Sequence, residues 1–167
     1  DVVYSGGSGL VVYDPQTEPP TPKLVSSTFS ADGSKLSATF DSATDRAGYS
    51  TSTFPCDDML DFTCADQAIC QWSDDITILA ILSSTAVPTT GSGGFGSGSC
   101  VVPMDTISLA DGIAAPGVRA KCAVVGGVCA KQNNWNKSST SNEVTVDFPV
   151  DAVRPMLTML VPDTIGT

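Results

Sequence analysis

The stretch KLVSSTFSADGSKLSATFD, residues 23–41, contains two short apolar runs on either side of a turn signal. The turn signal is SADGS (30–34), because an Asp-Gly pair readily adopts the backbone angles of a tight turn. In the second run Leu36, Ala38 and Phe40 alternate with polar residues, which is typical of a strand with one buried face. The stretch therefore predicts a β-hairpin.

Further short β-like runs follow, separated by turn signals at spacings typical of a β-sandwich. DDITILAILSS (74–84) is apolar on both faces towards its end and predicts a central strand. Other strands are predicted in SCVVPMDTISLA (99–110), GVRAKCAVV (117–125), EVTVDFPV (143–150) and MLTMLV (156–161). The cysteine-rich stretch 56–72 is predicted to be a structured crossover, not a strand, with a helical turn around Met59 and Leu60. The glycine-rich stretch 89–99 is predicted to be a flexible surface loop.

Charge and composition exclude several classes of function. The chain has 18 acidic and 8 basic residues, a net charge of -10, and no histidine. A polyanion lacks the clustered Lys and Arg that neutralise phosphate, so we expect neither nucleic acid nor an anionic membrane as a partner. Without histidine, Ser-His-Asp and Cys-His catalysis and histidine-ligated zinc are excluded. No window reaches the ~20 continuous apolar residues of a spanning helix, so we expect no membrane span.

The cysteines indicate the compartment. Their number is even, which predicts three disulfide bonds among Cys56, Cys64, Cys70, Cys100, Cys122 and Cys129. Disulfide bonds persist in oxidising surroundings, so we expect a secreted protein that works outside the cell or at its surface. The spacings lack the paired Cys-x-x-Cys ligands of a zinc site, so metal binding through thiolates is not expected. Spacing alone leaves all fifteen pairings open.

Six aspartates fall within nineteen residues and raise the question of a metal site: Asp57, Asp58, Asp61, Asp66, Asp74 and Asp75. Calcium takes several oxygen ligands, but the spacing differs from that of an EF-hand loop. A solvated acidic face is the interpretation we favour, with no metal and no other cofactor. Two carboxylates could serve a glycosidase, yet only Trp72 and Trp135 offer indole platforms for a sugar. We therefore assign no catalytic residue and do not expect an enzyme.

Several further side chains have a predicted role. Asn136 begins the sequon Asn-Lys-Ser in the polar loop KQNNWNKSSTSN (131–142), which predicts an N-linked glycan if the source is eukaryotic. The Thr and Pro residues at 17–22 are candidates for O-linked sugar. Trp72, close to Cys70, fits an indole packed on a disulfide bond, or simply a core aromatic residue.

Five motifs carry a resemblance to a known family: Phe40-Asp41, Thr44-Asp45-Arg46-Ala47-Gly48, Phe54-Pro55-Cys56, Cys70-Gln71-Trp72 and Pro103-Met104-Asp105-Thr106-Ile107. With them, segments 34–72 and 101–109 resemble the Ig-like modules beside and within the receptor-for-egg-jelly regions of polycystin-type proteins and of large algal and protist surface proteins. The resemblance implies an Ig-like antiparallel β-sandwich of about seven to nine strands and a non-catalytic role in adhesion or extracellular architecture. It also implies the disulfide pairs Cys56–Cys70, Cys64–Cys100 and Cys122–Cys129. Residues 155–167 resemble the opening strand of a following module.

The N-terminal part of the chain lies outside that resemblance. Residues 1–13 contain the tripeptide Val-Val-Tyr twice, and residues 14–22 contain four prolines, which favour an extended linker of about 28 Å before the sandwich at 23–167. A short apolar strand on such a linker suits addition to the open sheet edge of a neighbouring copy. Its contacting residues would be Val2, Val3, Tyr4, Leu10, Val11, Val12 and Tyr13. Two alternatives stay open: residues 9–13 form the first strand of their own sandwich with 1–8 frayed, or the segment is disordered.

Two hypotheses of function follow from these observations. The first is a secreted structural protomer that polymerises with copies of itself, head to tail, into an extracellular fibre or surface appendage. The second is an adhesion module that binds a glycan or a protein, with or without calcium, as one unit of a longer tandem chain. Since the N-terminus lacks a basic region followed by an apolar run, we interpret the chain as mature or internal sequence.

Overall fold

The computed structural model describes residues 2–5, 10–13, 17–49, 52–87, 100–111, 116–124 and 129–149. These residues form mostly β structure. The strands are β1 (Val2–Ser5), β2 (Leu10–Tyr13), β3 (Leu24–Phe29), β4 (Lys35–Phe40), β5 (Phe54–Pro55), β6 (Leu60–Asp61), β7 (Ile69–Trp72), β8 (Thr77–Ile81), β9 (Thr106–Leu109) and β10 (Val144–Asp147). Short 3-10 turns span Arg46–Gly48, Cys56–Asp58, Ala65–Gln67 and Gln132–Asn134. The loop predicted at 89–99 and the strand predicted at 156–161 lie outside the described residues.

Strands β3 to β10 form one curled sheet of eight strands, in the order β5-β7-β8-β4-β3-β10-β9-β6. Every neighbouring pair is antiparallel except β3 and β10, which run parallel. A register shift between Leu24 and Ser26 marks a bulge in β3, the strand that joins the two halves of the sheet. The all-β prediction is confirmed. The predicted antiparallel pairing holds for every neighbouring pair of this sheet except β3 and β10.

The hairpin predicted at residues 23–41 is confirmed as β3 and β4. Its turn is organised by Asp32, whose Oδ1 accepts hydrogen bonds from the Ser30 hydroxyl at 2.6 Å and the Ser34 backbone N–H at 3.1 Å. These hydrogen bonds, that from Ser30 first, lower the pKa of Asp32 to about 2. Gly33 follows with a φ of 69°, a backbone angle that glycine adopts without a side-chain clash. The turn is therefore specified by local sequence alone.

The core lies against one face of the curled sheet. Leu36, Ala38 and Phe40, the alternating residues of β4, are all buried. They belong to one apolar cluster with residues from the far half of the sheet, among them Ile107 of β9. The Phe40 ring stacks on that of Trp72, with centroids 5.8 Å apart. Because the sheet curls, both of its halves bury their apolar faces against each other.

The central strand predicted at 74–84 is confirmed as β8, which lies between β7 and β4. Ile78 and Ala80 are fully buried, whereas Ile81 on the opposite face is partly exposed. The predicted strands at 99–110 and 143–150 are confirmed in part as the shorter β9 and β10. Only one face of β8 is therefore covered by the core.

Two predictions of secondary structure are wrong. The stretch 56–72 contains two strands, β6 and β7, and its helical turns lie on either side of the predicted position around Met59 and Leu60. In the predicted strand 117–125, the described residues make only an isolated bridge, between Ala120 and Thr44. For β6 and for the bridge the reason is the same: Leu60 pairs with Leu109 and Ala120 with Thr44, and local composition does not reveal pairings between residues so far apart in sequence.

Ser27 on β3 gives a prediction about stability. Its side chain is buried, and its hydroxyl has no hydrogen-bond partner among the described residues. We expect Ser27→Ala to raise the free energy of unfolding by about 1 kcal/mol, because the desolvation of an unpaired hydroxyl is relieved. The matched control is Ser37→Ala, which removes a hydroxyl that donates to the Thr28 carbonyl at 3.1 Å and should lower stability. Urea denaturation compares the two, and a Ser27→Ala variant less stable than the parent would contradict the prediction.

Candidate functional site

The two Val-Val-Tyr tripeptides pair with each other. Strands β1 and β2 are antiparallel, with Val2 opposite Tyr13, Val3 opposite Val12, Tyr4 opposite Val11 and Ser5 opposite Leu10. They form a two-stranded sheet of their own, apart from the eight-stranded sheet. The seven residues predicted to contact a neighbour all lie in this β1–β2 hairpin. In the alternative prediction, residues 9–13 form the first strand of the sandwich of their own chain. The observed pairing is different, because residues 10–13 pair with β1.

The chain between this hairpin and β3 is attached to the body of the domain. The Glu18 carboxylate accepts a hydrogen bond from the Asn136 backbone N–H at 2.6 Å. Pro22 is fully buried, and its carbonyl accepts a hydrogen bond from the Ser138 hydroxyl at 2.7 Å. Lys23 exchanges hydrogen bonds with Asp41, directly after β4. The predicted 14–22 linker therefore contacts the body at Glu18 and Pro22, beside the end of β4.

The motif Thr44–Gly48 forms a left-handed turn. Arg46, Ala47 and Gly48 have φ angles of 54°, 51° and 82°. Backbone N–H groups of Gly48 and Tyr49 donate to the carbonyls of Asp45 and Arg46, which closes the turn. Non-glycine residues adopt such angles at a cost of roughly 1–2 kcal/mol each, so surrounding contacts must hold them.

Asp45 supplies those contacts. Its Oδ1 accepts the backbone N–H of Ala47 at 2.9 Å and the backbone N–H of Arg119 at 2.9 Å. The Asp45 backbone N–H also donates to the Arg119 carbonyl at 2.8 Å. One carboxylate thus fixes the left-handed turn and ties it to the 116–124 segment. No sequence signal showed this role, although the motif itself was part of the family resemblance.

Asp45→Ala is expected to lower the free energy of unfolding by about 2–4 kcal/mol, because two partly buried N–H groups lose a charged acceptor. Asp45→Asn is the matched control, since its side-chain oxygen can still accept both hydrogen bonds, and it should cost less than half as much. Thermal and urea denaturation measure both variants. Equal losses in the two variants would contradict the account.

Asp75 contacts two residues of the Thr44–Gly48 motif and also Lys121. Its Oδ1 accepts hydrogen bonds from Arg46 Nε at 2.9 Å and pairs with the second guanidinium nitrogen at 2.8 Å. Its Oδ2 pairs with Lys121 Nζ. Its backbone carbonyl accepts both the N–H and the hydroxyl of Thr44, at 2.8 Å and 2.7 Å. The hydrogen bond from Lys121 and then the contact with Arg46 hold the pKa of Asp75 below its ordinary value of 3.8.

This shift predicts a dependence of stability on pH. Because the folded-state pKa of Asp75 lies below the unfolded-state value, its contribution is fully present above about pH 4 to 5 and is lost as the pH falls through the folded-state pKa. Asp75→Asn should therefore lower the melting temperature at pH 7, and the difference from the parent should shrink as the pH falls below 4. A difference that stays constant from pH 7 to pH 2.5 would contradict the assignment.

The six clustered aspartates do not share one role, because some have different hydrogen-bond or ion-pair partners and others are exposed. Asp58 accepts a hydrogen bond from the Tyr49 hydroxyl at 2.9 Å, and burial, with this contact, raises the pKa of Tyr49. Asp74 accepts the Ile76 N–H at 2.8 Å, and Asp75 is bound by Arg46 and Lys121. Asp57, Asp61 and Asp66 are exposed. In the described ranges, no group of three or more acidic, Cys or His residues is placed to hold a metal ion.

The sequon lies at the surface next to a small second core. Asn136 is exposed, whereas Ser138 is buried and holds Pro22. Trp135 is buried in a cluster with Ala120 and with the disulfide-bonded Cys122 and Cys129. An indole therefore packs beside the Cys122–Cys129 disulfide bond, at Trp135, whereas the prediction of such packing named Trp72.

The six cysteines form the bonds Cys56–Cys70, Cys64–Cys100 and Cys122–Cys129. These are the pairs that the family resemblance implied. The first joins the 3-10 turn after β5 to β7, and the second joins the segment after β6 to the segment before β9. The third is part of the small core that contains Trp135. The first two disulfide bonds thus fix the parts of the domain that have the shortest strands.

A cleft of about 160 Å³ lies where Lys137 covers Gly117, with Asp58 and Asp111 in its wall. Its lining contains no aromatic ring. Sugar-cleaving sites place paired carboxylates beside a bound sugar ring, which aromatic side chains commonly stack on. This cleft therefore offers no platform for the glycosidase chemistry considered from the sequence.

An exposed apolar surface crosses three neighbouring strands at one edge of the sheet. Pro55 of β5 lies opposite Ile69 of β7, which lies opposite Ile81 of β8. Ile69 and Ile81 are 53% and 38% exposed, and nearby Val87 is 68% exposed. The side-chain amide of Gln67 holds Val87: its Nε2–H donates to the Val87 carbonyl at 2.8 Å, and its Oε1 accepts the Val87 backbone N–H at 3.0 Å. We call Pro55, Ile69, Ile81 and Val87 the apolar edge patch.

Comparison of the chain with protein-family models, with curated proteins and with solved structures finds no match. The resemblance to Ig-like modules therefore rests on the motifs alone. Among the described residues, no helix has the length and apolar character needed to cross a membrane.

Proposed function

We propose that this protein is a non-catalytic protomer of an extracellular fibre, assembled head to tail by addition of its N-terminal hairpin to a neighbouring copy. The observation that carries the proposal is the β1–β2 hairpin, which forms a separate sheet and contains no charged residue between Val2 and Tyr13. In a chain with a net charge of -10, an uncharged apolar segment of this kind is suited to contact with another protein.

The sheet offers edges that such a hairpin could join. Its outermost strands, β5 and β6, are each two residues long. Beyond β5, the residues Gln71 and Trp72 of β7 have no strand partner on their outer side among the described residues. Strand addition uses main-chain hydrogen bonds for affinity and side-chain pockets for specificity. Three disulfide bonds support a secreted protein, because such bonds persist outside the cell.

We also propose that the domain is Ig-like. The order β7-β8-β4-β3 corresponds to the Ig strands D-E-B-A, and β10-β9-β6 to G-F-C. Strand β3 pairs with both β4 and β10 and so would connect the two Ig sheets into the single curled sheet. Antibody domains join strands B and F by a disulfide bond, whereas β4 and β9 contain no cysteine. In this protein the stacked Phe40 and Trp72 rings fill part of that core.

Light scattering tests the fibre proposal on the whole 167-residue protein. We expect the average mass to rise steeply with protein concentration, as it does for an open head-to-tail polymer. A protein that stays monomeric up to millimolar concentration would contradict the proposal. That result would favour the alternative of an adhesion module that binds a glycan or a protein, with or without calcium, as one unit of a longer tandem chain.

A further inference from the structure

We infer that the apolar edge patch is the surface that receives the β1–β2 hairpin of a second copy of this chain. This inference rests on the proposed head-to-tail assembly and names the acceptor for it. The patch is continuous across β5, β7 and β8, since Pro55, Ile69 and Ile81 are cross-strand neighbours. Beside it is a cleft of about 340 Å³ lined by Thr53, Phe54, Pro55, Asp66, Gln67, Ala68 and Ile69.

Charge favours this occupant. Two copies with a net charge of -10 repel each other, so a stable contact between them needs surfaces without carboxylates at its centre. The hairpin has no charged residue from 2 to 13 and is flanked by Asp1 and Asp14 in the sequence. The four patch residues are also uncharged, and the Asp66 carboxylate lies beside them, in the wall of the adjoining cleft. The exposed cation Lys35 lies opposite Ile81 in the sheet register and would complement the acidic flanks of the hairpin.

The positions of donor and acceptor favour a head-to-tail contact. The N-terminal segment joins the body at the C-terminal end of β4, where Lys23 exchanges hydrogen bonds with Asp41. The patch lies at the other end of the same strands, where Lys35 begins β4 and Ile81 ends β8. Five residue steps along β4 separate the two ends by about 17 Å. Because the donor segment is attached at one end and the patch lies at the opposite end, a contact between copies is head to tail and extends into an open chain unless its rotation closes a ring.

Sedimentation velocity on full-length variants tests the acceptor. We expect Ile69→Glu to raise the concentration needed for polymer formation at least tenfold, because a buried carboxylate would replace an apolar contact. If the Ile69→Glu variant unfolds, Ile69→Thr replaces it. Threonine has a high β propensity, so this substitution removes apolar contact with a smaller effect on the strand. Met104→Glu is the matched control, since Met104 is 69% exposed and lies outside the patch. It should polymerise like the parent.

A mixing experiment separates the acceptor from the donor. The Ile69→Glu variant keeps its hairpin, and a Val3→Asp/Val12→Asp variant keeps its patch. We expect each alone to be monomeric and a mixture to give one-to-one dimers that do not extend. If the Ile69 variants polymerise like the parent, the acceptor assignment is overturned while the fibre proposal stands. If the parent itself does not polymerise, both are overturned.

Discussion

Reduction of the three disulfide bonds is expected to unfold the domain at 25 °C. Each bond in a small secreted domain contributes about 2–4 kcal/mol, and the whole stability of such a domain is about 5–15 kcal/mol. Two of the bonds here lie beside two-residue strands, where strand pairing alone gives little stability. Circular dichroism with and without a reductant measures the effect. An unchanged melting curve after complete reduction would contradict the prediction.

Removal of single disulfide bonds should lower the free energy of unfolding by different amounts. Cys64–Cys100 spans 36 residues and Cys122–Cys129 spans 7. In the chain-entropy account, the longer loop gives about 1.4 kcal/mol more stabilisation. Replacing both cysteines of each pair by serine should therefore cost more for Cys64 and Cys100. Because both variants lose one disulfide bond, each serves as the control for the other, and the reverse order would contradict the loop argument.

A pair of opposed carboxylates in the N-terminal hairpin is expected to abolish polymer formation. Val3 and Val12 lie directly opposite each other, so Val3→Asp/Val12→Asp places two like charges on neighbouring cross-strand positions. The variant also introduces charge into a segment that has none, on a chain of net charge -10. We expect a folded monomer under conditions in which the parent polymerises.

The matched control is Val3→Thr/Val12→Thr, which keeps β-branched side chains and adds no charge. It should weaken assembly without preventing it. Light scattering gives the mass of each variant, and the melting temperature shows whether the body of the domain is intact. Polymers of the Asp variant equal to those of the parent would exclude the hairpin as the donor.

Local signals in the sequence were sufficient for part of the fold. The β3–β4 hairpin was predictable because the Asp-Gly turn and the alternation in β4 both lie in one stretch of nineteen residues, 23–41. Strand β8 was predictable because its apolar run is continuous. Strand β6 was missed because it contains two residues and its partner, β9, follows nearly fifty residues later. Pairings of this kind depend on tertiary contacts that no short window contains.

The N-terminal hairpin was missed for a different reason. Residues 1–13 were predicted to add to the sheet edge of a neighbouring copy, so the pairing of the two Val-Val-Tyr tripeptides with each other was not foreseen. A short glycine-rich segment between two β-branched runs is also a hairpin signal, and β1 and β2 pair in that way. The role of Asp45 was hidden because its partner Arg119 lies 74 residues away.

Negative-stain electron microscopy of the 167-residue protein beside a version that lacks residues 1–13 tests the central claim most directly. The account predicts filaments of the whole protein and single globular particles of the shortened one, with equal melting temperatures for the body of the domain. Filaments of the shortened protein, or single particles in both samples, would contradict it.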